Sequence, residues 1–378
     1  MKSFSCSLAV VMVFSIALPL GAQTPPGDLA SMSLQDLLAV KIVRKQSTER
    51  IDGHPLEGEE YIVEVGEATS FHFSIDCIYV RFDGYLNGDQ SLSPQQVLWS
   101  SFPAPPRPPD TYPIVPTVIE QQAVNFDVAY DVTDEISLSL QFPYIYQTTH
   151  HISAVPGFSN FAISSEGLGD ISAGVSWQVW SDEGNTILIG ADISFPTGAI
   201  NETGRTPRSA TMDTQLPYTM QLGSGTFDYT PAVAYVGWTD DWMWGAGAEA
   251  TLRTGRNYRG YRLGNVYEVN AWVRYIQSEW VQPSFRVSTR FWDKIHGDDA
   301  ALLIPALPNN PYPAPVTDPN AFGGTKILAL PGIRLSYPEG DWRGQFLEIE
   351  GGVPVYQYLN GPQPKEDWRI SVSLSLNF

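Results

Sequence analysis

Residues 368–378 read Trp-Arg-Ile-Ser-Val-Ser-Leu-Ser-Leu-Asn-Phe. Trp368, Ile370, Val372, Leu374, Leu376 and Phe378 fall on one side of an extended chain, and Arg369, Ser371, Ser373, Ser375 and Asn377 fall on the other. Side chains along a strand point alternately to its two faces, so this stretch separates an apolar from a polar environment. The alternation recurs upstream. Ile136, Leu138, Leu140, Phe142, Tyr144 and Tyr146 oppose Ser137, Ser139 and Gln141; Val124, Phe126, Val128 and Tyr130 alternate with Asn125, Asp127 and Ala129.

About twelve such segments follow one another, near 70–83, 121–132, 134–147, 167–180, 185–196, 226–238, 241–253, 265–277, 280–292, 325–337, 342–355 and 367–378. Their spacers alternate in length. Short ones are Thr133, 181–184, 239–240, 278–279 and 338–341; long ones are 84–120, 148–166, 197–225, 254–264, 293–324 and 356–366. An even strand count with short turns at one end and long loops at the other is the pattern of a bacterial outer-membrane barrel. The first and fifth long loops are proline-rich, PAPPRPP at 103–109 and PNNPYPAP at 308–315, and read as stiff, exposed segments. The expected fold is therefore all-β: a transmembrane up-and-down antiparallel β-barrel over residues 70–378, preceded by a short periplasmic segment.

Lipid supplies a test of this reading. A Lys or Arg facing lipid at mid-membrane costs roughly 2–4 kcal/mol. The more apolar face of each segment reads as free of charge, although 17% of all residues are charged. Charges collect on the opposite face, at Asp76, Asp127, Asp170, Asp192, Asp228, Glu249, Glu268, Arg274, Arg286, Arg290, Arg334, Glu348 and Glu350, with Asn270 among them. These are the candidate lumen-facing residues. Glu268, Asn270, Arg274, Arg286, Arg290, Glu348 and Glu350 form either a selectivity ladder or a set of structural ion pairs across a plugged interior. A soluble β-sandwich also alternates, but it buries its apolar faces against each other. Two features fit the barrel less well. The parity of Trp180, Trp238 and Trp280 points inward, although Trp242 sits on the lipid face as an aromatic girdle requires. Pro143, Pro231, Pro283 and Pro331 fall inside strands, where each removes a ladder hydrogen bond.

The start of the chain reads as an export signal over residues 1–22. Lys2 is positive, Leu8 to Leu20 is almost wholly apolar, and Leu20-Gly21-Ala22 offers small residues for cleavage. Beyond it no apolar run reaches the roughly 18 residues of a membrane helix. Only a closed barrel then satisfies the backbone in lipid. Residues 23–69 form the periplasmic segment, with helix-like apolar spacing from Leu29 to Val43, and read as a leader or a partial plug. The localisation expected is the outer membrane of a Gram-negative bacterium. The partners expected are outer-membrane lipid, the barrel-assembly machinery reading Phe378 as its C-terminal signal, and a small solute. A net charge of -19 argues against nucleic acid.

Catalytic and metal-binding patterns are sparse. The chain has two cysteines, Cys6 inside the signal and Cys77 at an apolar-facing position, which reads as a small buried hydrophobe. His150-His151 and His296 with Asp298 and Asp299 lie in expected external loops and read as solvated. His72, Ser74 and Asp76 share one strand face, but that spacing stacks them along the strand instead of forming a relay. Neither enzyme activity nor a cofactor or metal is expected. GSGTFDY at 223–229 has no helix after it, so a phosphate site is unsupported.

Several stretches resemble a known family. RFDGYLNGDQSLS at 81–93, GLGDISAGV at 167–175, ISFPTGAI at 193–200, QLPYTMQLGSGTFDYTPAVAY at 215–235, GRNYRGYRLGNVYEVNAWVRY at 255–275 and GGVPVYQYLNGPQPKEDW at 351–368 are similar to the meta-pathway of phenol degradation family. The resemblance spans most of residues 70–378 and implies an outer-membrane barrel that passes small molecules, with aromatic substrates suggested by the family's name. The first loop departs from it, being proline-rich here where relatives are rich in His and Met. MSLQDLLAVKIV at 32–43 also resembles the opening of plug domains of TonB-dependent receptors. The function expected is a channel or transporter-like barrel for small solutes. A surface protein binding a ligand through its long loops is the alternative, and an outer-membrane hydrolase built on His72 a more distant one.

Overall fold

The computed structural model describes residues 71–378 apart from 210, 308, 338–343 and 378, together with four short strands between residues 43 and 62. Residues 1–22, read as an export signal, most of the segment 23–69 and Phe378 lie outside the described residues.

The barrel is built from β1 (Phe71–Gly88), β2 (Ile114–Thr133), β3 (Ile136–Ser153), β4 (Asn160–Leu168 and Ser172–Ser181), β5 (Asn185–Ser194), β6 (Asp228–Trp238), β7 (Trp242–Arg253), β8 (Val266–Tyr275), β9 (Val281–Trp292) and β10 (Gly324–Ser336). The last stretch, Phe346–Asn377, pairs antiparallel with β10 through residues 346–359 and antiparallel with β1 through residues 359–377. It therefore reverses between Leu359 and Gln363, and its halves are β11 and β12. The two pieces of β4 pair with successive parts of β3, so they make one crossing. That gives the twelve crossings expected. Because β1 pairs with β12 on one side and β2 on the other, the sheet closes and leaves no free seam between the chain's ends.

The apolar faces point outward and are uncovered. Leu138, Val269 and Val355 are 48%, 51% and 64% exposed, and Phe126, Leu140, Val233, Phe285 and Ile370 behave alike. A sandwich would bury this face; a contiguous apolar belt on a closed sheet is a surface made for lipid. Among the described residues no helix is long and apolar enough to cross a membrane. Cys77 is buried within a strand, as expected of a small hydrophobe.

The outward face is not wholly free of charge. Arg81, on the outward parity of β1, pairs with Glu120 at 2.9 Å and Asp83 at 3.2 Å. These residues lie at the external end, where β1 and β2 outgrow the membrane, so they meet water. The same extension explains two misplaced loops. Residues 148–166 and 356–366 are mostly strand, joined by residues 154–159 and by the turn after Leu359. Above the membrane the outward face becomes polar, with Thr148, His150, Ser164 and Glu166, and the alternation that marks a strand disappears from the sequence.

The aromatic girdle is fuller than parity suggests. A β-bulge between Gln178 and Trp180 shifts the register and turns Trp180 outward, 46% exposed. Trp280 precedes the first residue of β9, is exposed, and stands edge-on to Tyr337 at 6.1 Å. Trp242 packs on Tyr275 at 4.8 Å. Trp238 alone keeps its inward setting.

The strand prolines sit where ladders lapse. Gly169 N–H donates to the Pro143 carbonyl at 2.8 Å, at the break in β4. The β6–β7 ladder skips Pro231, and the β10–β11 ladder skips Pro331. Pro283 lies just past the end of the β8–β9 ladder.

Candidate functional site: an acidic chamber under a folded cap

Inward residues of β2–β7 surround a cavity of about 460 Å³. Asp127, Ser139, Gln141, Ser172, Asp192, Ser194, Asp228, Thr230, Glu249, Thr251 and Arg253 come from the strands, Asp170 from the break in β4, and Gln221–Ser224 and Leu263 from two external loops. Five carboxylates thus face one guanidinium, and that guanidinium is engaged with Asp228. Gln141 Nε2 donates to Asp127 Oδ1 at 2.8 Å. Asp192 and Glu249 have no hydrogen-bond partner among the described residues. Space for Asp192 is made by Gly174, where an added Cβ would come 1.9 Å from Asp192 Oδ1.

The lumen candidates divide into two groups. Asp127, Asp170, Asp192, Asp228 and Glu249 meet at the chamber. Asp76 sits beside it, with Ser74 Oγ 3.5 Å from both Asp76 and Asp127. The others are knitted across the opposite wall. Arg274 Nη2 donates to both Glu348 oxygens at 2.9 and 3.0 Å, and Arg334 donates to Glu348 Oε2 through Nε at 2.9 Å and Nη2 at 2.7 Å. Arg286 pairs with Glu350 at 3.0 Å, Ser288 Oγ donates to Glu268 Oε1 at 2.9 Å, and Arg290 stands opposite Glu268 in the ladder. Asn270 is buried on the same face. Arg274, Arg334 and Arg286 are thus ion-paired to Glu348 and Glu350. Buried Lys326 and half-buried Arg369, both engaged with Glu366, complete that wall. Their inward parity was visible in the sequence, but β12 was begun too late to include Glu366.

The cap is made by external loops that fold inward. L1 (89–113) carries the one-turn helix α1 (Pro94–Val97), closed by a capping box in which Ser93 N–H donates to Gln96 Oε1 at 2.8 Å. Val97 and Tyr112 of this loop pack with Tyr85 and Val115 of the strands. L5 (293–323) brings Ala314 and Val316 onto Ile114 and Ile119 of β2. Arg107, 5% exposed, ties the loops together. It donates to the carbonyls of Thr111 at 2.7 Å and Asn310 at 2.6 Å, and its guanidinium lies 4.9 Å from the Tyr112 ring centre. Tyr112 Oη donates to Asp318 at 2.9 Å. Pro313 and Pro315 of the second proline-rich segment are buried in this cap, whereas the prolines of the first, at 103, 105, 106, 108 and 109, stay exposed around buried Arg107. L3 (195–227) and L4 (254–265) join it through Tyr218 and Tyr261, which pack with Ile295 and Leu302 of L5. Asp299 holds Arg259 at 2.5 Å and, through its N–H, Tyr218 Oη at 2.9 Å. Burial pushes Arg208, donating to the Ala301 carbonyl, down to about 10, so it stays charged at neutral pH. Burial likewise raises the Tyr218 and Tyr261 hydroxyls.

Two other polar groups do not form relays. His72 Nε2 is 2.9 Å from Asp131 Oδ2, and Asp131 Oδ1 accepts from Ser137 at 2.6 Å, so the acid stands between the other two and not behind the His. His151 stacks on Phe161 at 4.6 Å. Among the described residues no group of three or more His, Cys, Asp or Glu is placed to hold a metal.

No family model matches the chain, and no curated protein does. Among solved structures, it matches an outer-membrane channel from Pseudomonas putida F1 with a TM-score of 0.51 at 12% identity, over 82% of this chain and 96% of that one. The fold is that of an outer-membrane β-barrel. A FadL homologue from Pseudomonas aeruginosa is matched at a TM-score of 0.40 and 11% identity, over 81% of this chain and 90% of that one. The toluene transporter TbuX from Ralstonia pickettii is matched at 0.38 and 11%, over 83% and 90%. At these identities the likeness is one of architecture.

Proposed function

We propose that the chain is an outer-membrane channel for small solutes, and the chamber carries this reading. A closed barrel with a lipid-facing belt encloses about 460 Å³ of space, enough for a small molecule, at the centre of a wall that otherwise fills itself with paired side chains. Its carboxylate excess favours cations and positively charged organic solutes over anions, because a low-dielectric wall focuses the field of unpaired charge. Aromatic substrates rest on the resemblance to the phenol-degradation family, and the toluene transport named for one matched structure is compatible with them. A surface-binding role is less well supported, since the two proline-rich loops spend their apolar residues on the cap. Residues 1–22 would direct export, 23–69 would remain periplasmic, and Phe378 would be read by the assembly machinery. The test is conductance of the purified, folded protein in planar bilayers under a salt gradient. A reversal potential of the sign for cation preference is expected; a folded protein that neither conducts nor admits solute into liposomes would defeat the channel reading.

A further inference from the structure

Three of the stretches quoted for the family resemblance, GLGD, PTGAI and LGSGT, lie far apart in the chain and meet at one point. There β4 is interrupted: Leu168 pairs with Tyr144 and Ser172 with Gln141, so the strand carries one residue more than its partner. Pro143 stands opposite the break and has no N–H to bridge it. Below the break β4 has a neighbour on each side. Above it, Asn160–Leu168 pairs with β3 alone, because β5 ends at Ser194 opposite Ser172. The vacant side is met by L3 instead of a strand.

We propose that Asp170 is the latch of a gate, and that residues 220–224 are the moving roof through which solute enters the chamber. The inference rests on the channel reading above. Asp170 Oδ1 accepts from Gly198 N–H at 2.8 Å, while Oδ2 accepts from both the N–H and the Oγ of Ser224 at 2.7 Å. One carboxylate therefore makes three charge-assisted bonds to a loop whose only ladder is its own short hairpin, Thr203–Gly204 with Thr214–Gln215, separate from the barrel sheet. Gly198 and Gly223 allow the approach: a Cβ on Gly223 would lie 2.5 Å from Asp170 Oδ1, and one on Gly198 would lie 2.7 Å from the Gly223 Cα. The other side-chain ties from the barrel to this segment are Ser165 Oγ to the Met220 carbonyl at 2.7 Å, Thr149 Oγ1 to Met220 Sδ at 3.2 Å and Gln147 Nε2 to the Gln221 carbonyl at 3.3 Å. Leu222 and Ser224 roof the chamber directly. Release of Asp170 removes two bonds to Ser224 and one to Gly198, the largest set of ties that one side chain makes to the roof, without breaking any inter-strand hydrogen bond.

Chamber access measures this without requiring conduction. In a Cys77→Ser background, Thr251→Cys places a thiol on the chamber wall, and its reaction with a cationic methanethiosulfonate is timed on folded protein in micelles. Asp170→Asn keeps the shape but loses the charge and turns an acceptor into a donor. It should speed labelling roughly tenfold or more, the scale of one charged hydrogen bond. Ser224→Ala, which removes one donor and leaves the barrel intact, should give a smaller acceleration and decides the matter should Asp170→Asn not fold. Unchanged labelling in a folded variant would overturn the latch whatever the conductance, whereas fast labelling with no conductance would leave the latch and remove the channel.

Discussion

Arg274 and Glu348, 74 residues apart on β8 and β11, meet in a two-pronged ion pair inside the barrel, 1% and 9% exposed at their side chains. Arg334 shares the same carboxylate. Arg274 Nε and Nη1 find no hydrogen-bond partner among the described residues. Glu348→Gln leaves buried Arg274 without its carboxylate and should cost about 3–5 kcal/mol, whereas Arg274→Met leaves a neutral Arg334–Glu348 pair and should cost less. Denaturant unfolding in micelles, followed by tryptophan fluorescence, gives the order; a larger loss for Arg274→Met would refute this account.

Asp192 and Glu249 should set the charge preference of the chamber. They reach into it from β5 and β7 and are bound to nothing else there. The double change Asp192→Asn with Glu249→Gln removes two negative charges at nearly constant volume. Cation-over-anion permeability should fall, read as a reversal potential moving toward zero, with little change in stability. Glu350→Gln, on the paired wall, should instead destabilise the barrel by leaving Arg286 without its carboxylate.

Arg107 should hold the cap shut. Its bonds to the Thr111 and Asn310 carbonyls need a fork of donors, which a lysine ammonium lacks. Arg107→Ala should raise the rate of proteolytic cutting within L5 by roughly tenfold or more. Arg107→Lys should recover only part of the protection. Equal cutting of all three proteins would show that the loops are held by their apolar clusters alone.

Val269 and Asn270 are chain neighbours on opposite faces of β8, one 51% and the other 8% exposed. Val269→Arg places a cation in lipid and should cost roughly 2–4 kcal/mol. Val269→Leu should cost almost nothing. Refolding into vesicles measures both; an arginine tolerated at 269 would contradict the outward assignment of this face.

The barrel was legible because lipid demands a simple code. One apolar side chain in two, repeated in Trp368–Leu376 and its eleven counterparts, leaves few alternatives once no helix can span. Face assignment failed at Trp180, where a bulge inserts a residue that no composition rule announces, and at Trp280, which stands in the turn before its strand begins. Strand length failed for β3 and β4, whose upper turns rise into water and lose their apolar side.

The sequence by itself determined the closed sheet, the outward belt and the set of inward charges, because each depends only on neighbours two residues apart. Which inward charges cancel and which remain for solute was decided by the tertiary structure alone. Arg274 meets Glu348, and Asp170 meets Ser224, through register around the barrel and loop folding at its mouth. Contacts between distant segments leave no periodic trace in the chain, so the paired wall, the acidic chamber and its roof emerge only when the strands close.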